Sequence, residues 1–110
     1  MKKIVKIGNE EVEVVANAAS PYLYKGLFRE DFLLKIQDKT PDPSLFEKMG
    51  FIMAMQAILD REKLHNLSID DFYDWLEGFA PMDVMNATKD LTEVYFQQNK
   101  ATSSAKKKEG

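Results

Sequence analysis

The chain has 110 residues, 45% hydrophobic and 30% charged, with 15 basic and 18 acidic side chains and a net charge of −3. That is enough chain for one hydrophobic core and too little for two, so the expectation is one soluble globular domain. With no cysteine there is no disulfide framework and no thiolate metal site, and an acidic body argues against sequence-independent nucleic-acid binding.

Residues 2–15 read as a β-hairpin. A turn at Asn9-Glu10 pairs Ile7 with Val12, Val5 with Val14 and Ile4 with Val15, and sets Lys6 opposite Glu13. Sliding the loop to Gly8-Asn9 pairs Lys3 with Val14 and Ile4 with Glu13, a poorer match, so the first register is expected. Val5, Ile7, Val12 and Val14 form the buried face. A two-stranded hairpin is marginal alone, so it leans on helices or on a neighbouring subunit.

Helical signals follow. Ser20-Pro21 reads as an N-cap followed by proline at the first helical position, opening a helix over 20–27. A second helix, 30–38, places Phe32, Leu33 and Ile36 on one face. Thr40-Pro41-Asp42-Pro43 breaks the pattern, and Ser44 to Glu47 has capping-box spacing for a helix over 44–63. Between Met49 and Leu59 that helix is apolar all round except for Gln56, which makes it the central element. Gly50 within it suggests that another backbone approaches closely. A capping box at Ser68 to Asp71 precedes Ile69, Phe72, Tyr73 and Leu76 at helical spacing, with Gly78 placed to end that helix. The last helix, 81–98, carries Val84, Ala87, Leu91, Val94 and Tyr95 along one stripe. The expected fold is α+β, mainly α: an N-terminal hairpin packed on a bundle of about five helices, residues 1–99.

Residues 100–110 hold four lysines and one glutamate and nothing apolar larger than alanine, which leaves −6 on 1–99. Such a segment has no apolar area to offset the entropy of ordering it, so it reads as a disordered, lysine-rich tail. The lysines at the start do not make a signal peptide, because Lys6, Glu10, Glu11 and Glu13 interrupt the apolar run. The longest uncharged apolar stretch, 49–59, is far shorter than the ~20 residues a membrane span needs. An intracellular location is expected.

No catalytic pattern emerges. His65 is the only histidine and has no nucleophile beside it. Glu30-Asp31 and Asp70-Asp71 fall in first turns of helices, where negative charge favours the helix dipole. There is no glycine-rich phosphate loop, so neither enzyme activity nor a cofactor or metal is expected. Methionine is abundant, and its flexible thioether suits surfaces that adapt to a partner. Met49 and Met53 are assigned to the core. Trp75, Met82, Met85 and Phe96 fall off or at the edge of the core stripes and are the candidate partner-binding residues.

Taken together, several segments resemble one known family. They are the lysine-rich opening from Lys2 to Gly8, the run from Ala16 to Lys25, and Phe28-Arg29-Glu30-Asp31-Phe32-Leu33. The methionine-rich helix ending Met53-Ala54-Met55-Gln56-Ala57, the segment from Ser68 to Leu76 and the lysine-rich tail follow in order. In that order they resemble the tail assembly chaperones of long-tailed bacteriophages, in the form common to phages and prophages of Gram-positive hosts. The resemblance implies a non-enzymatic protein of the host cytoplasm, not retained in the virion. It would bind the tape-measure protein, keep it soluble and help tail-tube subunits assemble around it. It also implies a longer form made by programmed frameshifting, for which Lys106-Lys107-Lys108 offers an adenine-rich codon run and 101–105 a flexible linker toward a tube-recruiting extension. Self-association through the free hairpin edges is a further expectation. The alternative is a small regulatory adaptor that acts by binding another protein.

Overall fold

In the computed structural model, whose described residues are 2–40 and 42–96, strands β1 (Lys2–Ile7) and β2 (Glu10–Val15) pair antiparallel as a two-stranded sheet. The register differs from the expected one: Lys3 lies opposite Val14, Ile4 opposite Glu13, Val5 opposite Val12 and Lys6 opposite Glu11. The turn is Gly8-Asn9, and Gly8 has φ 63° while Asn9 has no positive φ. That is the primed two-residue turn with glycine first, whose twist suits the flanking strands. The two registers differ by two residues, and a slip of two leaves every side chain on its own face. Val5, Ile7 and Val14 are buried and Val12 is half-buried, the face expected. The apolar pattern fits both registers and so does an opposite-charge partner for Lys6; turn chemistry decides between them.

Helices α1 (Ser20–Phe28), α2 (Phe32–Lys35), α3 (Ser44–Ile58), α4 (Arg61–His65), α5 (Ile69–Glu77) and α6 (Asp83–Asn86) follow, with a last helical run over 88–96, here α7. The body is therefore mainly helical and carries the hairpin on it, in more and shorter pieces than expected. The 44–63 helix breaks at Leu59, which is extended (φ −110°, ψ 150°), and Asp60 restarts it by accepting the Lys63 N–H at 2.9 Å. Ser44 does not form a capping box; its N–H donates to Asp42 Oδ1 at 2.9 Å and the N-cap position is Pro43. In place of one helix over 81–98, α6 and α7 are separated by a turn at Ala87. The expected end at 98 and the tail at 100–110 lie outside the described residues.

Ser20 is a core residue and not a cap. Fully buried, it accepts the Asn17 N–H at 3.0 Å and donates to Gln56 Oε1 at 2.6 Å, while Gln56 Nε2 donates to Asn17 Oδ1 at 3.1 Å. The one strongly polar residue of the apolar helix thus meets a satisfied polar site, the condition for burying such groups cheaply.

Helix α3 buries Leu45 and every residue from Met49 to Ala54, Met49 and Met53 included. Strand β2 and helix α1 pack on it, and α7 closes another side. A Cβ on Gly50 would stand 2.7 Å from Leu91 Cδ1, so the group that approaches closely is a side chain, not a backbone. The α6–α7 stripe is as expected: Val84, Ala87, Leu91, Val94 and Tyr95 are all buried. On α2 only Phe32 is fully buried, with Ile36 half-buried and Leu33 exposed.

A file of aromatic rings threads this core. Phe79, Trp75, Phe51, Phe72, Phe28, Tyr24 and Phe32 follow one another at centroid separations of 5.2, 5.6, 5.4, 5.1, 5.0 and 5.1 Å. From Phe32 it branches to Phe46 and Tyr95, and both of these meet Phe96. Tilted and edge-on geometries dominate, as the ring quadrupoles favour.

Candidate partner-binding surface

Helix α5 starts at the capping box the sequence signals: Ser68 Oγ accepts the Asp71 N–H at 3.3 Å and Asp71 Oδ2 accepts the Ser68 N–H at 2.9 Å. Its buried side is rotated from the expected stripe. Phe72 is buried and Trp75 and Leu76 are half-buried, whereas Ile69 and Tyr73 are exposed. Trp75 takes the inner position because Phe51 and Phe79 flank it. Its outer side borders a groove of about 490 Å³ between β2 and the C-terminal ends of α3 and α5. Met55, Ile58 and Phe79 share the floor with Trp75, and Glu10, Glu11 and Glu13 form the strand wall.

Met82 and Met85 are 52% and 42% exposed at the start of α6 and in it. Three apart, they share a helical face, while Val84 anchors the helix to the core. Asp83 between them accepts the Ala80 N–H at 3.0 Å and lies against Gly8, tying α6 to the hairpin turn. Phe96, 41% exposed, rests on Phe46 and Tyr95. The four candidate residues therefore stand at three places: Trp75 in the groove, Met82 with Met85 on α6, and Phe96 at the far end of the aromatic file.

The acidic pairs serve helix ends and packing. Asp31 caps α2 by accepting the Leu34 N–H at 3.1 Å, and Glu30 accepts Lys48 Nζ at 2.8 Å in a half-buried ion pair. Lys48 also lies 5.5 Å from the Phe28 ring centre. Burial, helped by the Glu30 carboxylate, raises the pKa of the Tyr24 hydroxyl, which meets no hydrogen-bond geometry among the described residues. Burial likewise raises that of Tyr95. His65 lies on α4, beside a second groove of about 390 Å³ where Tyr22, Leu23 and Leu27 of α1 face Leu64 and Leu67.

Sequence reasoning missed both grooves. For the second, one signal was Gly26: inside α1, a Cβ there would meet nothing within 4 Å. For the first, it was the three glutamates crowded into one short strand. No helix among the described residues is long and apolar enough to cross a membrane. Comparison with protein families, with curated proteins and with solved structures finds no match to this chain.

Proposed function

We propose that this chain is a tail assembly chaperone of a long-tailed bacteriophage. It binds the tape-measure protein in the host cytoplasm, keeps it soluble, and helps tail-tube subunits assemble around it, the latter through a longer, frameshifted form. The observation that carries this reading is the exposure of Met82, Met85 and Phe96, with Trp75 half-exposed at a groove, on a body whose core is otherwise well filled. Flexible thioethers and aromatic rings can cover the long apolar stripes of a tape-measure protein without demanding one fixed shape. The ordered sequence pattern described above supports the same role.

Co-expression with the tape-measure protein tests it. The intact chain should co-purify with that protein and hold it in the soluble fraction. Met82→Glu/Met85→Glu should lose most of the co-purification while the circular dichroism melt stays within a few degrees, since both side chains are exposed. Failure of the intact chain to retain the tape-measure protein would overturn the proposal. An unfolded double variant would instead show that the methionines support the core, and Phe96→Glu would then carry the test.

A further inference from the structure

Among the described residues the sheet has two strands, and none of them pairs with the outer edge of β2. With a two-residue turn, Ile7 and Glu10 form the closing hydrogen-bonded pair, and alternation turns the N–H and C=O of Glu11 and Glu13 away from β1. Among the described residues no turn, loop or cap backbone bond reaches them. The groove floored by Met55, Ile58, Trp75 and Phe79 is walled by this stretch of β2, and Ile58 is 66% exposed within it. An unpaired strand edge beside an apolar trough is the arrangement into which an extended segment adds as a further strand.

The side chains specify what that segment carries. A strand added at the β2 edge would have one face beside Glu11 and Glu13, which point with Lys6 and Ile4 to the solvent side of the sheet. Its other face would lie beside Val12, with Glu10 at the turn end of that row, and over Trp75, Ile58 and Phe79. Cationic residues fit the first row and apolar residues the second, at period two. Strand β1 meets this pattern in part on the opposite edge, with Lys6 facing Glu11 and Val5 facing Val12, whereas Ile4 faces Glu13. A folded second copy would have to bring its own helices in beside α3 and α5 along with its strand. A lone segment has no such helices.

We infer that the β2 groove binds an extended segment of the client protein in which Lys or Arg alternates with apolar residues, added to the sheet as a third strand. This deepens the chaperone reading and rests on it only for the identity of the client.

Trp75 is the only tryptophan of the chain and lines the groove, so its fluorescence reports occupancy directly. The full chain is titrated with a short synthetic peptide of alternating Lys and Val, with the same peptide N-methylated along its bonding edge, and with a Glu–Val peptide. The Lys–Val peptide should shift Trp75 emission saturably, and the other two should bind at least tenfold more weakly. Glu11→Gln/Glu13→Gln should weaken the Lys–Val peptide by a similar factor without changing the melt. Equal binding of the N-methylated peptide would overturn strand addition, and equal binding of the Glu–Val peptide would overturn the charge rule. Should the double variant fail to fold, the N-methylated peptide decides on the unaltered chain. If the chain alone sediments as an oligomer that the Lys–Val peptide dissociates, the occupant is a second copy and the inference is overturned. Retention of the tape-measure protein with no Lys–Val binding leaves the chaperone reading standing and sinks this one; the reverse result does the opposite.

Discussion

In the hairpin, Gly8 occupies a backbone conformation that L side chains rarely adopt, and it fixes which residues of β1 and β2 face each other. In the helical body, Gly50 sits in ordinary helix and is required instead by Leu91, which fills the space where its Cβ would be. The first glycine acts on chain geometry within a few residues. The second acts across 41 residues of sequence and is meaningful only once α7 has docked on α3. A local requirement can be read from the turn itself; a packing requirement needs the partner helix in place.

The largest expected effect breaks the packing side. Leu91→Ala empties a fully buried site and should cost about 2–5 kcal/mol, read as the midpoint in urea. Adding Gly50→Ala should recover part of that, because the new methyl enters the space Leu91 vacated and alanine favours helix. If the two changes simply add as losses, the glycine and the leucine do not form one packing unit.

Gly8→Val tests the hairpin side. A β-branched residue at positive φ costs about 1–2 kcal/mol or more, and its Cβ would also meet the Asp83 carboxylate, 2.8 Å from Cγ. The strands should then slide by two residues to the Asn9-Glu10 turn, keeping the same face buried. Cross-strand nuclear Overhauser contacts between Val5 and Val14 would replace those between Val5 and Val12. A variant that keeps the original pairing would show that contacts with α3 hold the register.

Alkaline pH sharpens the contrast further through tyrosine, which the body holds and the hairpin does not. Tyr24 is buried and its pKa is raised, so the folded state holds its proton where the unfolded chain, near pH 10, gives it up. The Tyr24 contribution is therefore fully present below about pH 10 and is lost as the pH climbs above that. Stability should fall in that window, and Tyr24→Phe should flatten the fall. The smallest effect expected is a gain: Arg29 ends α1 at φ 60°, and Arg29→Gly should add up to about 1 kcal/mol by relieving the left-handed conformation.

Much of the body was legible because its signals were periodic. The stripe from Val84 to Tyr95, the capping box at Ser68 and the buried methionines of α3 all follow from spacing alone. The hairpin face was legible and its register was not, because two registers separated by two residues bury the same valines. Trp75 was assigned outside the stripe of α5, yet it lies half-buried where Phe51 meets it from a different helix, a contact no local pattern encodes. The break at Leu59 was masked because apolar residues continue up to it, although Asp60 followed by Lys63 is a readable cap. The groove depended on bringing β2 beside α3 and α5, and one-dimensional periodicity carries no information about that.

The aromatic file also links a buried tyrosine to the one indole, which bears on how the chain emits light. Tyr24 reaches Trp75 through four successive ring contacts, by way of Phe28, Phe72 and Phe51, none longer than 5.6 Å. Tyrosine excitation passes to the one indole directly through space, since the phenylalanines between absorb at higher energy and cannot carry it. The folded chain therefore emits mainly as tryptophan. The indole itself lines the acidic groove. Emission from a single dye-free sample therefore reports two events in separate channels: tyrosine light returns when the body unravels, and the indole colour moves when something enters the trough.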